Sequence, residues 1–173
     1  MPELTAHTAS DRLLRPLTES EARFTLLEHP PEGRTARAGA LRGHPLAAAA
    51  TRMVVTVAGG PAAGERQVLT VVPGDRRADF ARVARERGGA AARLARRKAA
   101  EALTGCVSGS IIPFSRHDRL PVLAGPALFD EPTLYVNAAR PDLSVPLASE
   151  EHRTPAGPKV VPVTEPQGGA AAL

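Results

Sequence analysis

Aromatic residues are scarce in this chain: 3% of 173 residues, with four Phe, one Tyr and no Trp. Hydrophobic residues still reach 43%, so the core has to be assembled from Ala, Val, Leu and Ile. Lysine is as rare. Of 22 basic residues only Lys98 and Lys159 are lysine, an Arg- and Ala-heavy usage that suggests a GC-rich genome more than a special surface. The single cysteine, Cys106, excludes an internal disulfide and fits a reducing compartment. No apolar run approaches the length of a membrane span, and the acidic, Pro-containing start does not read as a signal peptide. A soluble, cytoplasmic protein is expected. The five histidines (His7, His29, His44, His117, His152) lack metal-ligand spacing, which argues against a metal site. Ser108 and Ser110 do not form Gly-x-Ser-x-Gly, so an esterase elbow has no support.

What is present reads as one domain with extensions: a helical segment over 1–23, a folded unit over 24–152 and a Pro/Gly-rich, disordered tail over 153–173. In the first segment Leu13, Leu14, Leu17 and Phe24 suggest a short helix broken near Pro16, with Thr18 capping a second turn and Glu21 as its partner. Phe24 to Leu27 reads as a strand, and Thr35 to Leu46 as a helix. Thr51 to Val57 and Gln67 to Val72 form a hairpin around the Gly59-Gly60-Pro61 turn. Asp75 is the expected cap of a helix over 76–87, stopped by Gly88-Gly89. A strand near 92–95, a helix over 96–103 and strands near 121–124, 133–137 and 143–147 complete the pattern. Strands interleaved with short helices and hairpins imply an α/β domain with a curled mixed sheet flanked by helices.

Charge is uneven. Between Arg76 and Lys98 nine bases face two acids, Asp79 and Glu86, giving +7 against +4 for the whole chain. Such a segment is a solvated helix face by default, or a footprint for nucleic-acid phosphates.

The most distinctive stretch follows it, from Leu103 to Leu120. Thr104-Gly105 marks a left-handed helix end. Gly109 permits a backbone shape, or a close approach, that a Cβ would hinder. Pro113 fixes its own φ and biases Ile112 toward an extended conformation. The expected result is a stiff loop whose amides at Ser110, Ile111 and Ile112 are open to a carbonyl or carboxylate oxygen. Cys106 reads as packing rather than a nucleophile, because no His–acid pattern accompanies it.

Thr104-Gly-Cys-Val-x-Gly-x-Ile-x-Pro-Phe-Ser115 resembles the glycine-x-x-x-proline loop of the YbaK/EbsC family, the free-standing relatives of the prolyl-tRNA synthetase editing domain. Arg42-Gly43, the Met53 to Val57 strand, Val68-Leu69, Asp75 with Asp79, Gly88-Gly89, Leu128-Phe129 and Tyr135-Val136-Asn137-Ala138 before Ser144 fall in the family's order. The resemblance implies hydrolysis of the ester joining a wrong amino acid to tRNA, without metal or cofactor. It implies an acyl site shaped by Gly109, Ser110, Ile111 and Pro113. Asn137, His29 and Phe114 would stand around that site, with Thr51 or Arg52 near the terminal adenosine. Aminoacyl-tRNA is the implied partner, with an aminoacyl-tRNA synthetase as a second candidate; nothing speaks to oligomeric state. Four positions depart from the family. Thr51 stands where it has lysine, Ala124-Gly125 where it often has an acid, Ala36 or a neighbour where it usually has glutamate, and Ala139 where it has glycine. Arg52 is expected to replace the lysine only through a register slip or bulge, since successive strand residues point to opposite faces. Three functions follow: a trans-acting aminoacyl-tRNA deacylase, a binding module that holds the aminoacyl group without hydrolysis, or a generic basic RNA-binding protein.

Overall fold

A computed structural model describes residues 11, 14–31, 40, 43–107, 109–115, 117–140 and 142–167, with the backbone alone at 154–156. The frame is a hairpin of β2 (Ala50–Ala58) and β3 (Arg66–Pro73), paired one to one from Ala50↔Pro73 to Val57↔Arg66. β4 (Ala91–Leu94) joins β2 antiparallel. On the other side β5 (Val122–Ala124) runs parallel to β3, and β8 (Lys159–Val160) parallel to β5. The mixed sheet thus has the order β4-β2-β3-β5-β8. A second, antiparallel sheet has β7 (Leu143–Ala148) between β1 (Leu27–Glu28) and β6 (Thr133–Arg140). The domain is α/β with a mixed sheet, as the sequence implies.

Period-2 alternation in β2 divides the core in two. Ala50 and Val54 pack with Leu69, Val71, Cys106, Ile112, Phe114 and the inner residues of β6 and β7. Val55 and Val57 pack on the opposite face with Val68, Val72, Leu123, Val163 and helix α1 (Phe80–Glu86) through Val83 and Ala84. The hydrophobic run of β2 reflects burial on both faces. One face of the large sheet carries the Gly109 loop and the small sheet, the other carries α1.

Several local expectations shift. Asp79, not Asp75, caps α1: its Oδ1 accepts the Arg82 N–H at 3.0 Å, so the helix begins four residues later than its Arg-rich sequence suggests. Pro16 is buried within a helical turn over 14–19 instead of breaking it. The Thr18 hydroxyl donates back to the Leu14 carbonyl at 2.9 Å, which makes it an interior residue and not a cap. Phe24 contributes only an isolated bridge to Leu147, and the strand starts at Leu27. The helix over Thr35 to Leu46 lies largely outside the described residues; a 3₁₀ turn at Leu46–Ala48 closes that region.

The disordered tail is corrected for residues 153–167. Helix α3 (Ser149–Ala156) ends on Gly157 in the left-handed region, β8 extends the large sheet, and Val163 is fully buried beside α1. Four prolines obscure this in the sequence, yet Pro155 falls in the last turn of α3, and Pro158, Pro162 and Pro166 sit at edges and ends where no ladder N–H is required.

Candidate functional site

Helix α2 (Arg97–Thr104) delivers the chain to the loop. It ends on Gly105 at φ +68°, whose N–H donates to the Glu101 carbonyl, and the Thr104 hydroxyl returns to Ala100 O at 2.7 Å. Cys106 is buried with its thiol against the Thr104 carbonyl, a packing role. The Ser110 N–H donates to Val107 O at 2.9 Å, closing a turn around Gly109 at φ +88°. This corrects one expected donor: the Ser110 amide is already used inside the loop. The glycine is needed for its dihedral alone, because a Cβ at 109 would meet nothing within 4 Å. Among the described residues, the N–H groups of Ile111 and Ile112 have no hydrogen-bond acceptor.

Three side chains from three different elements hold alternate carbonyls of this loop. Asn137 on β6 donates from Nδ2 to Gly109 O at 3.2 Å. Arg52 on β2 donates from Nε to Ile111 O and from Nη1 to Ala50 O. His152 on α3 donates from Nε2 to Pro113 O at 3.1 Å. A carbonyl can only accept, so the neutral His152 carries its proton on Nε2. Burial pushes its pKa down to about 4, with the Pro113 hydrogen bond opposing in part.

Arg52 reaches the loop without the slip or bulge expected from the sequence. β2 pairs in unbroken register, and Arg52 shares a face with Ala50 and Val54, the face that carries the loop. Thr51 falls by the same alternation on the α1 side, so the structure does not bring it to the loop.

His29 and Asn137 converge through β7. Ser144 lies opposite Asn137 in the β6–β7 register and opposite Leu27 in β1. Its hydroxyl is 2.7 Å from His29 Nε2, while His29 Nδ1 lies 2.9 Å from Pro30 O. In the neutral ring Nδ1–H serves the carbonyl and Nε2 accepts from Ser144. The next turn of β6–β7 is locked by Arg140 and Asp142, paired in two parallel bonds of 3.0 and 2.7 Å. This arrangement holds the Asp142 carboxyl below its ordinary pKa and raises that of the guanidinium. Within this turn Ala139 adopts φ +60°, at the register shift between Asn137 and Arg140.

Phe114 and Ile112 are buried and line a separate cleft of about 330 Å³ with Leu103, Leu120, His117 and Arg15. His29, Arg52, Gly109 and Asn137 do not line it. The apolar wall and the polar group therefore divide between two sides of the loop. His117 is exposed, and its Nδ1 accepts the Arg119 N–H at 3.1 Å, as in a solvated turn. No group of three or more metal-ligating side chains occurs among the described residues. Sequence reasoning missed Ser144 and His152 as site neighbours, and also the stack of His44 on Tyr135 at 3.7 Å. A short-range pattern could find none of these, since His29 and Ser144 stand 115 residues apart and His152 and Pro113 stand 39 apart.

Comparison with known proteins gives the chain's family and fold. A family profile for the aminoacyl-tRNA editing domain matches residues 29–154. The multifunctional Ser/Thr-tRNA deacylase ProXp-y of Escherichia coli strain K12 is 33% identical over 151 residues, covering 87% of this chain and 89% of the relative. The protein of the same name from Escherichia coli O157:H7 matches equally. Among solved structures, hypothetical protein APE2540 superposes with a TM-score of 0.77 at 22% identity, over 89% of this chain and 99% of that one. A structure assigned provisionally as a trans-editing enzyme for prolyl tRNA synthetase gives 0.74 at 22% identity, over 91% and 98%. The two structures speak for the fold alone.

Proposed function

The chain belongs to the aminoacyl-tRNA editing domain family, and from that membership we propose that it is a trans-acting deacylase hydrolysing the ester of mischarged tRNA. The observation that carries the site is the loop whose carbonyls at 109, 111 and 113 are held by Asn137, Arg52 and His152. A trans peptide points its N–H opposite its C=O, so the Arg52 hold on the Ile111 carbonyl turns the Ile112 N–H away from β2. The open N–H of Ile112 then supplies a preset dipole for the ester's carbonyl oxygen. Water adds to the carbonyl carbon and the bond to the ribose oxygen breaks. The water's proton ends on that ribose oxygen, leaving free amino acid and uncharged tRNA. An aminoacyl ester is activated already, so a positioned water and a stabilised oxyanion suffice without a nucleophilic side chain.

His29, partly exposed and held from behind by the buried Ser144 hydroxyl, is the polar side chain that would receive the amino group or the ribose, while the buried Asn137 supports the loop. Arg52 takes the cationic place beside the loop, and Thr51 has no role there. The acceptor stem would lie along Arg96, Arg97 and Lys98. These are exposed at the start of α2, with no acid in that helix's first turn and no ion pair among the described residues. Cations at a helix N-terminus oppose its dipole, so phosphates would relieve an unfavourable field. An aminoacyl-tRNA synthetase is the second partner proposed, with the cytoplasm as the site of action.

A second reading, binding without hydrolysis, is favoured by one observation: the Arg52 guanidinium is engaged with the Ile111 and Ala50 carbonyls. Purified protein with Ser- and Thr-charged noncognate tRNAs decides between them. Release of free serine or threonine above the spontaneous rate supports the deacylase. An unchanged ester lifetime overturns it, and a lengthened one points to the binding module.

A further inference from the structure

We propose that His152 is a positioning residue for this site: held in α3, it fixes the Pro113 carbonyl and thereby the course of the Gly109–Pro113 backbone. The proposal rests on the deacylase reading for its kinetic arm only. Pro113 has no N–H, so its carbonyl is its one backbone handle. His152 Nε2 takes that handle at 3.1 Å, and the same imidazole packs against Phe114, the next residue, at a centroid distance of 5.2 Å. On its other side the ring lies 6.3 Å from Phe129, over which the Arg153 guanidinium sits at 4.0 Å. One ring thus grips both the carbonyl and the following side chain.

The imidazole is fully buried, and its Nδ1 has no hydrogen-bond partner among the described residues. A phenylalanine would fill the same space between two aromatic rings with no unmet nitrogen. Packing alone therefore favours Phe here; what only histidine supplies is a directed N–H to Pro113. Burial keeps the ring from substrate and from water, so it acts through the loop and not as an acid or base. Its helix is supported at both ends, since α3 carries Glu150 and Glu151 in its first turn and closes on left-handed Gly157. The three loop clamps also differ in reach: Asn137 fixes the entry, Arg52 the centre, and His152 alone the exit.

Two substitutions test this in the full chain. His152→Phe keeps an aromatic ring, slightly larger, and removes the bond, and His152→Gln keeps an N–H donor. With Ser- or Thr-charged noncognate tRNA, His152→Phe should lower kcat about tenfold to a hundredfold, with KM within about threefold, because misplacing an acyl site by about 1 Å has effects of that size. His152→Gln should recover at least a third of the wild-type kcat. The melting temperature of His152→Phe should equal or exceed wild type, which separates positioning from loss of fold. Backbone amide NMR gives an arm free of activity: the Ile111, Ile112 and Phe114 signals should shift in His152→Phe more than those of β4 or α1. Wild-type kcat with unshifted loop amides in His152→Phe overturns the proposal. So does a loss of kcat that follows a lowered melting temperature in both variants. If the wild type releases no amino acid, the deacylase reading falls and the amide shifts alone decide the clamp.

Discussion

Arg52 and Asn137 reach one loop from two different sheets. Arg52, on the second strand of the five-stranded sheet, holds the Ile111 carbonyl; Asn137, on β6 of the three-stranded sheet, holds the Gly109 carbonyl at 3.2 Å. The loop is therefore a seam between the sheets, and its shape depends on how they are docked. The sheets meet again next to it, at the bridge between Ala49 and Tyr135.

Asn137→Ala removes the Gly109 clamp, and Asn137→Asp turns the donor into an acceptor facing a carbonyl. The expectation is a kcat/KM loss of about tenfold for Ala and a larger one for Asp, since a buried unmet carbonyl costs about 1–3 kcal/mol. Deacylation kinetics on mischarged tRNA check the order. Equal activity in the two variants would remove Asn137 from the site.

At β2 the prediction is asymmetric. Thr51→Ala should leave deacylation within about twofold, because Thr51 faces α1. Arg52→Lys should lose most activity, because an ammonium cannot span two carbonyls as the planar fork does, and a charge-assisted bond is worth about 1.5–3 kcal/mol. If Thr51→Ala proves inactive while Arg52→Lys does not, the face assignment is wrong.

His152 makes folding stability depend on acid. Its folded pKa of about 4 lies below the ordinary histidine value of 6.5, so the unfolded chain binds the extra proton first. The contribution is fully present above pH 6.5 and is lost as pH falls toward 4, a change of about 3 kcal/mol. Denaturant unfolding between pH 7 and 4 should show this slope in the wild type. It should be flatter in His152→Phe, and parallel curves would contradict the assignment.

Ala139 adopts φ +60°, a region that costs an L-residue about 1–2 kcal/mol. Ala139→Gly relieves that strain and restores some unfolded-state entropy. A net gain of about 0.5–1 kcal/mol is expected, visible as a raised melting temperature. A lower melting temperature would mean that Ala139 contributes packing that offsets its strain.

Much of the fold was legible because it rests on short-range physics. The alternation and β-branching of Met53 to Val57 specify a buried strand, and Gly105 and Gly109 take the positive φ that their positions suggest. The departure at Ala139 was visible as a missing glycine, and the backbone there keeps the shape a glycine would favour. Other features were hidden. Asp75 and Asp79 are equally good caps by composition, and only the return of the chain at Val163, whose carbonyl accepts the Asp79 N–H at 2.8 Å, selects the second. The tail looked unstructured because proline lowers strand propensity, but the edge of the sheet beside β5 accepts a short strand that Pro158 and Pro162 merely bracket.

By itself, then, the sequence determined the family, the order of strands and helices from β2 to β7, and the loop with its two special residues, Gly109 and Pro113. These follow from local torsional preferences and from the period of apolar residues. Which groups grip the loop was decided by tertiary structure. Arg52, Asn137 and His152 are 59, 28 and 39 residues from the carbonyls they hold, and no local preference can encode a distance that exists only once two sheets and a helix have packed.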